Sequence, residues 1–191
     1  MSLIMKRNSI RSYTDELVSK ETILKLLKSG MQAPSANNQQ PWEFIVVDDR
    51  KLLDELSETS KGAWMLKDAP VAIIPMILES DKSPHFRVQD LSAATQNILL
   101  EVTNQNLGAV WIGVYPLEDR VNHIEKVLNI TGTAHPFAII AIGHPAKQRE
   151  VIVKFEFCNE ENKFALAATF KKLISVAKEA GKDVGAPELL T

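Results

Sequence analysis

Two short stretches of the chain carry residue types that could do chemistry. In Lys6-Arg7-Asn8-Ser9-Ile10-Arg11-Ser12-Tyr13, the residues Arg7, Ser9 and Arg11 recur every second position, and in extended geometry that spacing puts all three on one side. Two guanidinium groups with a hydroxyl between them match a phosphate, to whose oxygens arginine makes charge-assisted and often bidentate bonds. The same pattern also suits a plain solvated basic segment. The second stretch, Ala33-Pro34-Ser35-Ala36-Asn37-Asn38-Gln39-Gln40-Pro41-Trp42, sets hydroxyl and amide side chains between two prolines. Proline fixes its own φ and biases the preceding residue, here Ala33 or Gln40, toward extended backbone, so this is a stiffened loop. Its uncharged donors and acceptors suit the edge of a heteroaromatic ring or the hydroxyls of a sugar-like chain. Pro, Ser and Asn equally make an ordinary helix-to-strand turn.

Regular elements must hold these stretches in place. Ser19 can cap a helix whose apolar face runs through Ile23, Leu24, Leu26, Leu27 and Met31, with Gly30 near its end, which sets the polar loop at a helix C-terminus. Residues 43–48 read as a strand and 50–57 as an amphipathic helix, followed by an irregular connection at Gly62-Ala63-Trp64-Met65. The continuous apolar run Val71 to Leu78 predicts a strand buried on both faces, with a bulge or edge exposure at Pro75. After a polar loop over 79–85, residues 88–105 predict a central helix. Its small Ala93 and Ala94 would let another helix approach, from this chain or a partner, while Gln96 and Asn97 read as solvated. Residues 109–114 form a short strand ending at Gly113, which either permits close approach to the backbone or simply precedes a turn at Tyr115-Pro116. A helix over 118–129 and a buried strand over 136–143 follow. Beyond them, 151–157 partly alternates as a strand, 163–180 carries a helical apolar stripe, and 181–191 reads as a frayed tail.

Composition narrows the function classes. At 191 residues and 45% hydrophobic content the chain can bury a core as one domain without disulfides or structural metals. A net charge of -2 supplies no basic field for nucleic acid. Cys158 is the single cysteine, which excludes an intrachain disulfide and a cysteine zinc cluster and fits a reducing compartment. His85, His123, His135 and His144 lack metal-ligand spacing, and no glycine-rich nucleotide loop is present. The apolar runs are too short to span a bilayer and the start has no signal-peptide layout, so the expectation is a cytoplasmic protein without membrane or nucleic-acid partners.

Taken together and in this order, Arg-x-Ser-x-Arg-x-Tyr and Ala-Pro-Ser-Ala-x-Asn-x-Gln-Pro-Trp resemble the flavin-dependent nitroreductase family. The resemblance continues through Gln89-Asp90-Leu91-Ser92-Ala93-Ala94-Thr95-Gln96-Asn97, Gly108 to Pro116 and Ile142-Gly143-His144-Pro145, and fades past residue 150. It implies an α+β fold, a mixed and mostly antiparallel central sheet flanked by helices, in an intertwined homodimer with shared active sites; the alternation of elements alone would also allow a parallel doubly wound sheet. The expected domain is 1–191, with 151–191 a C-terminal extension over its own core or the partner subunit.

The resemblance further implies FMN. Arg7 and Ser9 would hold its phosphate, and Arg11 would face the pyrimidine end of the ring. Pro34, Ser35, Ala36 and Asn38 would arrive from the opposite subunit, with Gln40 near the site or supporting its loop. The backbone of Ile112, Gly113 and Val114 would meet the reactive edge. Lys147 and Arg149 would form a second basic pair at the phosphate, or else a solvated basic turn. NAD(P)H would reduce the flavin and leave, and a small-molecule acceptor such as a nitroaromatic or quinone would take its place. No side chain is required as nucleophile, general acid or metal ligand; Arg11 acts electrostatically, because a cation there stabilises the anionic reduced flavin. Two alternatives share the cofactor motifs: a flavin enzyme of different chemistry, such as reductive dehalogenation or substrate dehydrogenation, with the difference in 79–85 and around Trp64; or a non-catalytic flavin-storage dimer whose tail from Lys163 covers the ring.

Overall fold

The computed structural model describes residues 2–147. The predicted strand at 151–157, the helix at 163–180, the tail, Arg149 and Cys158 lie outside the described residues. In chain order the elements are α1 (Leu3–Lys6), α2 (Lys20–Met31), β1 (Trp42–Val47), α3 (Arg50–Leu56), β2 (Val71–Ile77), α4 (Arg87–Asn104), β3 (Gly108–Gly113), α5 (Glu118–Val127), β4 (His135–Pro136) and β5 (Ala138–Gly143), with short 3-10 turns at Ala36–Asn38, Ser57–Thr59, Lys61–Lys67 and Pro84–Phe86. The strand order is β1-β2-β5-β3, with β4 continuing beside β2, and all these ladders are antiparallel. An α+β architecture is therefore what the chain adopts, and the parallel doubly wound alternative is wrong.

Both sheet faces are covered, which explains the continuous apolar runs. On one face Ile74, Met76, Val110, Ile112 and Ile139 pack with Leu53 and Leu56 of α3 and Ile124 of α5. On the other, Val71, Ile73, Ala109, Ile140 and Ile142 pack with Leu26 of α2 and Ile98, Leu99 and Val102 of α4. Burying one such Leu or Ile contributes roughly 1.5–3 kcal/mol, so β2 and β5, buried at every residue, anchor the fold.

Pro75 corrects half of its expectation. It sits in a central strand, buried, and not at an edge. Ile73 pairs with Ile140 and Met76 with Pro136, leaving Ile74 and Pro75 opposite the three residues Phe137, Ala138 and Ile139. That is a bulge. The Pro75 carbonyl accepts from the Phe137 N–H at 2.8 Å, and since N–H and C=O of one strand residue point the same way, the missing proline donor faces the bulge, where no ladder bond is lost.

Ser19 caps α2 as expected, its Oγ accepting from the Thr22 N–H at 3.1 Å. The buried face of α2 is narrower than predicted. Leu26 and Gly30 are buried, but Leu24 and Met31 are each 56% exposed. Helix α2 packs on α4 within the chain, and the close approach falls at Gly30, where an added Cβ would lie 2.9 Å from Ile98 Cδ1. Asn97 is not a solvated residue: its Nδ2 donates to the Ser29 carbonyl at 3.2 Å and ties the two helices together. The connection before β2 is ordered as 3-10 turns. Arg50 holds it, Nη1 donating to the Ala69 carbonyl at 3.0 Å and Nη2 to the Leu66 carbonyl.

The arginine segment is fastened to the start of β3. The Ile10 N–H donates to the Ala109 carbonyl at 2.9 Å, and Ser9 bridges Ala109 in parallel. Gly108 permits this, because a Cβ there would sit 2.7 Å from Ile10 Cβ. Further along, the buried Tyr13 hydroxyl donates to the Ile10 carbonyl at 2.7 Å or that of Ala141 at 3.1 Å. Burial pushes the Tyr13 pKa far above the ordinary tyrosine value, more than Arg11 lowers it. The unfolded chain therefore loses this proton first, and the contribution is fully present below about pH 10 and declines above it. Denaturant unfolding of wild type and Tyr13→Phe from pH 8 to 11 is expected to show wild type ahead by about 1 kcal/mol at pH 8, with the gap closing above pH 10. A constant gap would mean the hydroxyl makes no such contribution.

Candidate functional site

The polar loop is a built structure. Asn37, Asn38 and Gln40 have φ of 50°, 50° and 48°, left-handed values that Asn tolerates and Gln rarely adopts. Such backbone persists only when its surroundings over-determine it, and here the determinant is Asp90 in the first turn of α4. Asp90 is 6% exposed. Its Oδ1 accepts from the Ala36 N–H at 3.0 Å and its Oδ2 from Gln39 Nε2 at 2.6 Å. Buried Ser83 completes the clasp: Gln39 Nε2 donates to its carbonyl at 2.9 Å, its N–H donates to Gln39 Oε1 at 3.1 Å, and Asn37 Nδ2 donates to its Oγ at 2.8 Å. Ser35 Oγ accepts from the Gln40 N–H at 3.0 Å, so that hydroxyl braces the loop.

With the loop braced in this way, the side chains of Asn38 and Gln40 stay exposed and make no hydrogen bond among the described residues. Sequence reasoning assigned no role to Asp90 or Ser83, and counted Gln39 among the loop's donors and acceptors for a ligand, whereas its amide is taken up by Asp90 and Ser83. The available signal was an acidic residue opening the central helix in the Gln89-Asp90 stretch.

The second part of the site is the free edge of β3. Among the described residues this strand ends the sheet, so residues 109, 111 and 113 turn their backbone groups away from β5. The Ala109 carbonyl takes the Ile10 N–H, and the Gly113 carbonyl takes Arg120 Nη1 at 2.7 Å. The Gly113 N–H shares that outward direction. Among the described residues there is open space around Gly113, with nothing within 4 Å of a notional Cβ. Thus one edge carries Arg7, Ser9 and Arg11 near its start and the backbone of Gly113 at its end, with Arg11 exposed just beyond the last pairing; the Ile112 backbone, expected there too, points instead toward Ile139 of β5, because strand residues alternate in the direction of their N–H and C=O. Val114 is fully buried and continues the core.

Lys147 is exposed and lines a small cavity with Lys6, Asn8 and Ile10, residues that alternate with Arg7, Ser9 and Arg11 along the segment. Within one chain the two parts do not meet. The loop enters β1 at Trp42, beside Ile77, whereas the arginine segment sits where β3 begins, at Gly108 beside Gly143. Three inter-strand spacings, about 14 Å, separate the edge strands, and the seven steps along β2 from the level of Gly108 to Ile77 add about 24 Å.

The described residues thus present a sheet edge that carries Arg7, Ser9 and Arg11 at its start and the Gly113 backbone at its end, and, apart from it, a left-handed amide loop held by the buried Asp90 carboxylate. Residues 4–74 and 60–144 match the model of the nitroreductase family, and the chain belongs to that family. It is 47% identical over 148 residues to a provisionally named NADH dehydrogenase/NAD(P)H nitroreductase of Methanothermobacter thermautotrophicus, covering 77% of this chain and 78% of the relative. A solved FMN-dependent nitroreductase of Clostridium difficile superposes with a TM-score of 0.75 at 30% identity, covering 81% of this chain and 94% of that one. The iodotyrosine deiodinase of Thermotoga neapolitana is 26% identical over 184 residues, covering 80% of this chain and 95% of the relative.

Proposed function

We propose that this chain is an FMN-dependent NAD(P)H oxidoreductase acting on a nitroaromatic, quinone or similar acceptor, working as a homodimer whose sites are shared between subunits. The observation that carries this reading is the separation just described: the arginine edge and the braced loop lie at opposite corners of one sheet, and a second copy can bring its loop to the first copy's edge. Leu24 and Met31 on α2 and Val88 on α4 are exposed and offer that copy an apolar surface.

The residues present fit FMN. Arg7 and Ser9 would hold the phosphate, Arg11 would lie at the pyrimidine end, and the backbone at Gly113 and Val114 would meet the ring. Pro34, Ser35, Ala36 and Asn38 of the second copy would close the site, with Gln40 supporting that loop. When bound, FMN supplies the hydride and electron transfer; the chain supplies orientation, charge and exclusion of water. Lys147 serves the phosphate only if the ligand reaches across the segment to the Lys6 side.

Purified protein is expected to be yellow, to bleach anaerobically with NADH or NADPH, and to recover its colour with menadione or a nitroaromatic. Colourless protein that FMN cannot reconstitute would reject the proposal. Reductive dehalogenation is the second reading, favoured by the similarity to the deiodinase; turnover of a halogenated tyrosine exceeding that of nitroaromatics would select it.

Gly113 gives a further test. Because a Cβ at Gly113 meets no atom of the described residues within 4 Å, Gly113→Ala is expected to unfold at the wild-type denaturant midpoint yet bind FMN about tenfold more weakly, by loss of close approach to the backbone. Equal FMN affinity in the two proteins would remove the ring from that position.

A further inference from the structure

A cavity of about 480 Å³ opens beside Gly113, lined by Thr59, Lys61 and Gly62 together with Trp111, Asp119 and Arg120. Its charges are unbalanced. Two cations face one carboxylate, and among the described residues neither Lys61 nor Arg120 is in an ion pair, and Arg120 bonds to the Gly113 carbonyl alone. Thr59 adds an independent sign. It is 8% exposed, and its hydroxyl is buried with no hydrogen-bond partner among the described residues, a costly condition that native proteins avoid unless something else satisfies the group. Arg50 fixes the wall by holding the carbonyls of Leu66 and Ala69.

We propose that this cavity is an anion-accepting subsite, in which Lys61, Arg120 and the Thr59 hydroxyl take the carboxylate or phosphate of the small molecule that exchanges electrons at the Gly113 edge. It deepens the function proposed above and rests on it for the place of the flavin. The two sources of the anion are the carboxylate of an aromatic acceptor and the phosphates of NAD(P)H; both present oxygens to a lysine, an arginine and a hydroxyl, a charge-assisted set. Asp119 opposes the anion and limits its affinity.

The test is calorimetric titration of the purified protein with benzoate, phenyl phosphate and neutral benzamide, in wild type, Lys61→Ala, Thr59→Val and Asp119→Asn. Lys61→Ala is expected to weaken an anion about tenfold relative to benzamide, and Asp119→Asn to strengthen it. Thr59→Val should weaken the anion without lowering the denaturant midpoint, since the hydroxyl has no partner to lose; a purely structural Thr59 would give the opposite pattern. Steady-state KM values then identify the source: a Lys61→Ala increase for 4-nitrobenzoate but not 4-nitrobenzyl alcohol marks the acceptor, and an increase for NADH or NADPH marks the reductant. Wild-type protein that binds neither anion, or a Lys61→Ala variant in which anions and benzamide change alike, overturns the subsite. The titrations do not need the flavin. Colourless protein with Lys61-dependent benzoate binding would therefore reject only the FMN assignment, and yellow, active protein with Lys61-independent anion binding would reject only the subsite.

Discussion

Asp90→Ala is expected to lower folding stability by about 2–4 kcal/mol, because it leaves the Ala36 N–H and the Gln39 amide without their charged acceptor in a part-buried place. The larger consequence falls on the ligand. Left-handed backbone costs roughly 1–3 kcal/mol at each strained residue, and Asn37, Asn38 and Gln40 all adopt it, so without the clasp the loop relaxes and Asn38 leaves its position. FMN affinity is expected to fall at least tenfold. Asp90→Asn separates the two effects: it keeps an acceptor for Ala36 but turns an NH2 group toward the Gln39 donor, so an intermediate affinity is expected. The measurements are denaturant unfolding and fluorescence titration of FMN. Asp90→Ala protein that binds FMN as tightly as wild type would show that the clasp serves the fold alone.

The arginine segment should divide its two roles. Arg7→Ala is expected to weaken FMN by about ten- to a hundredfold, the range that loss of a charge-assisted phosphate bond of about 1.5–3 kcal/mol implies, while riboflavin, which has no phosphate, binds equally to both proteins. Arg11→Ala is expected to lower the two-electron potential of bound FMN by a few tens of millivolts, about 30 mV per 1.4 kcal/mol, because an exposed cation stabilises the anionic reduced ring only partially. Potentiometry of the FMN-loaded variants tests this. An unchanged potential in Arg11→Ala would take Arg11 away from the pyrimidine end, and equal weakening of FMN and riboflavin by Arg7→Ala would take Arg7 away from the phosphate.

Much of the fold can be read in the sequence because its signals are local. Ser19 announces its helix, the unbroken run from Val71 to Ile77 announces a strand with both faces covered, and Gly113 closes the strand predicted before Tyr115. What was illegible depends on distant partners. Nothing near Pro75 says that three residues some sixty positions away bulge around it, and nothing near Asn97 says that Ser29 waits across a helix packing. Leu24 and Met31 fit a helical apolar stripe by spacing, yet only the three-dimensional packing shows that α2 buries the adjacent stripe through Leu26 and Gly30.

At the site the motif loop was visible from its prolines and amides, whereas the residue that shapes it, Asp90, lies fifty positions on and looks like an ordinary first-turn acid. Lys61 and Arg120 were passed over for the same reason: neither belongs to a pattern, and only folding brings them beside Gly113.

The proposal that one site takes its phosphate grip from one subunit and its amide loop from the other has a direct test. A variant carrying Arg7→Ala and Arg11→Ala and a differently tagged variant carrying Ser35→Ala and Asn38→Ala are each expected to bind FMN poorly and to turn over slowly. In a purified mixed dimer of the two, sites built across the subunits would leave one doubly damaged and one intact, so about one tightly bound FMN per dimer and half the wild-type turnover of menadione are expected. A mixed dimer as empty as its parents would mean that each chain builds its site alone, and would contradict the shared site.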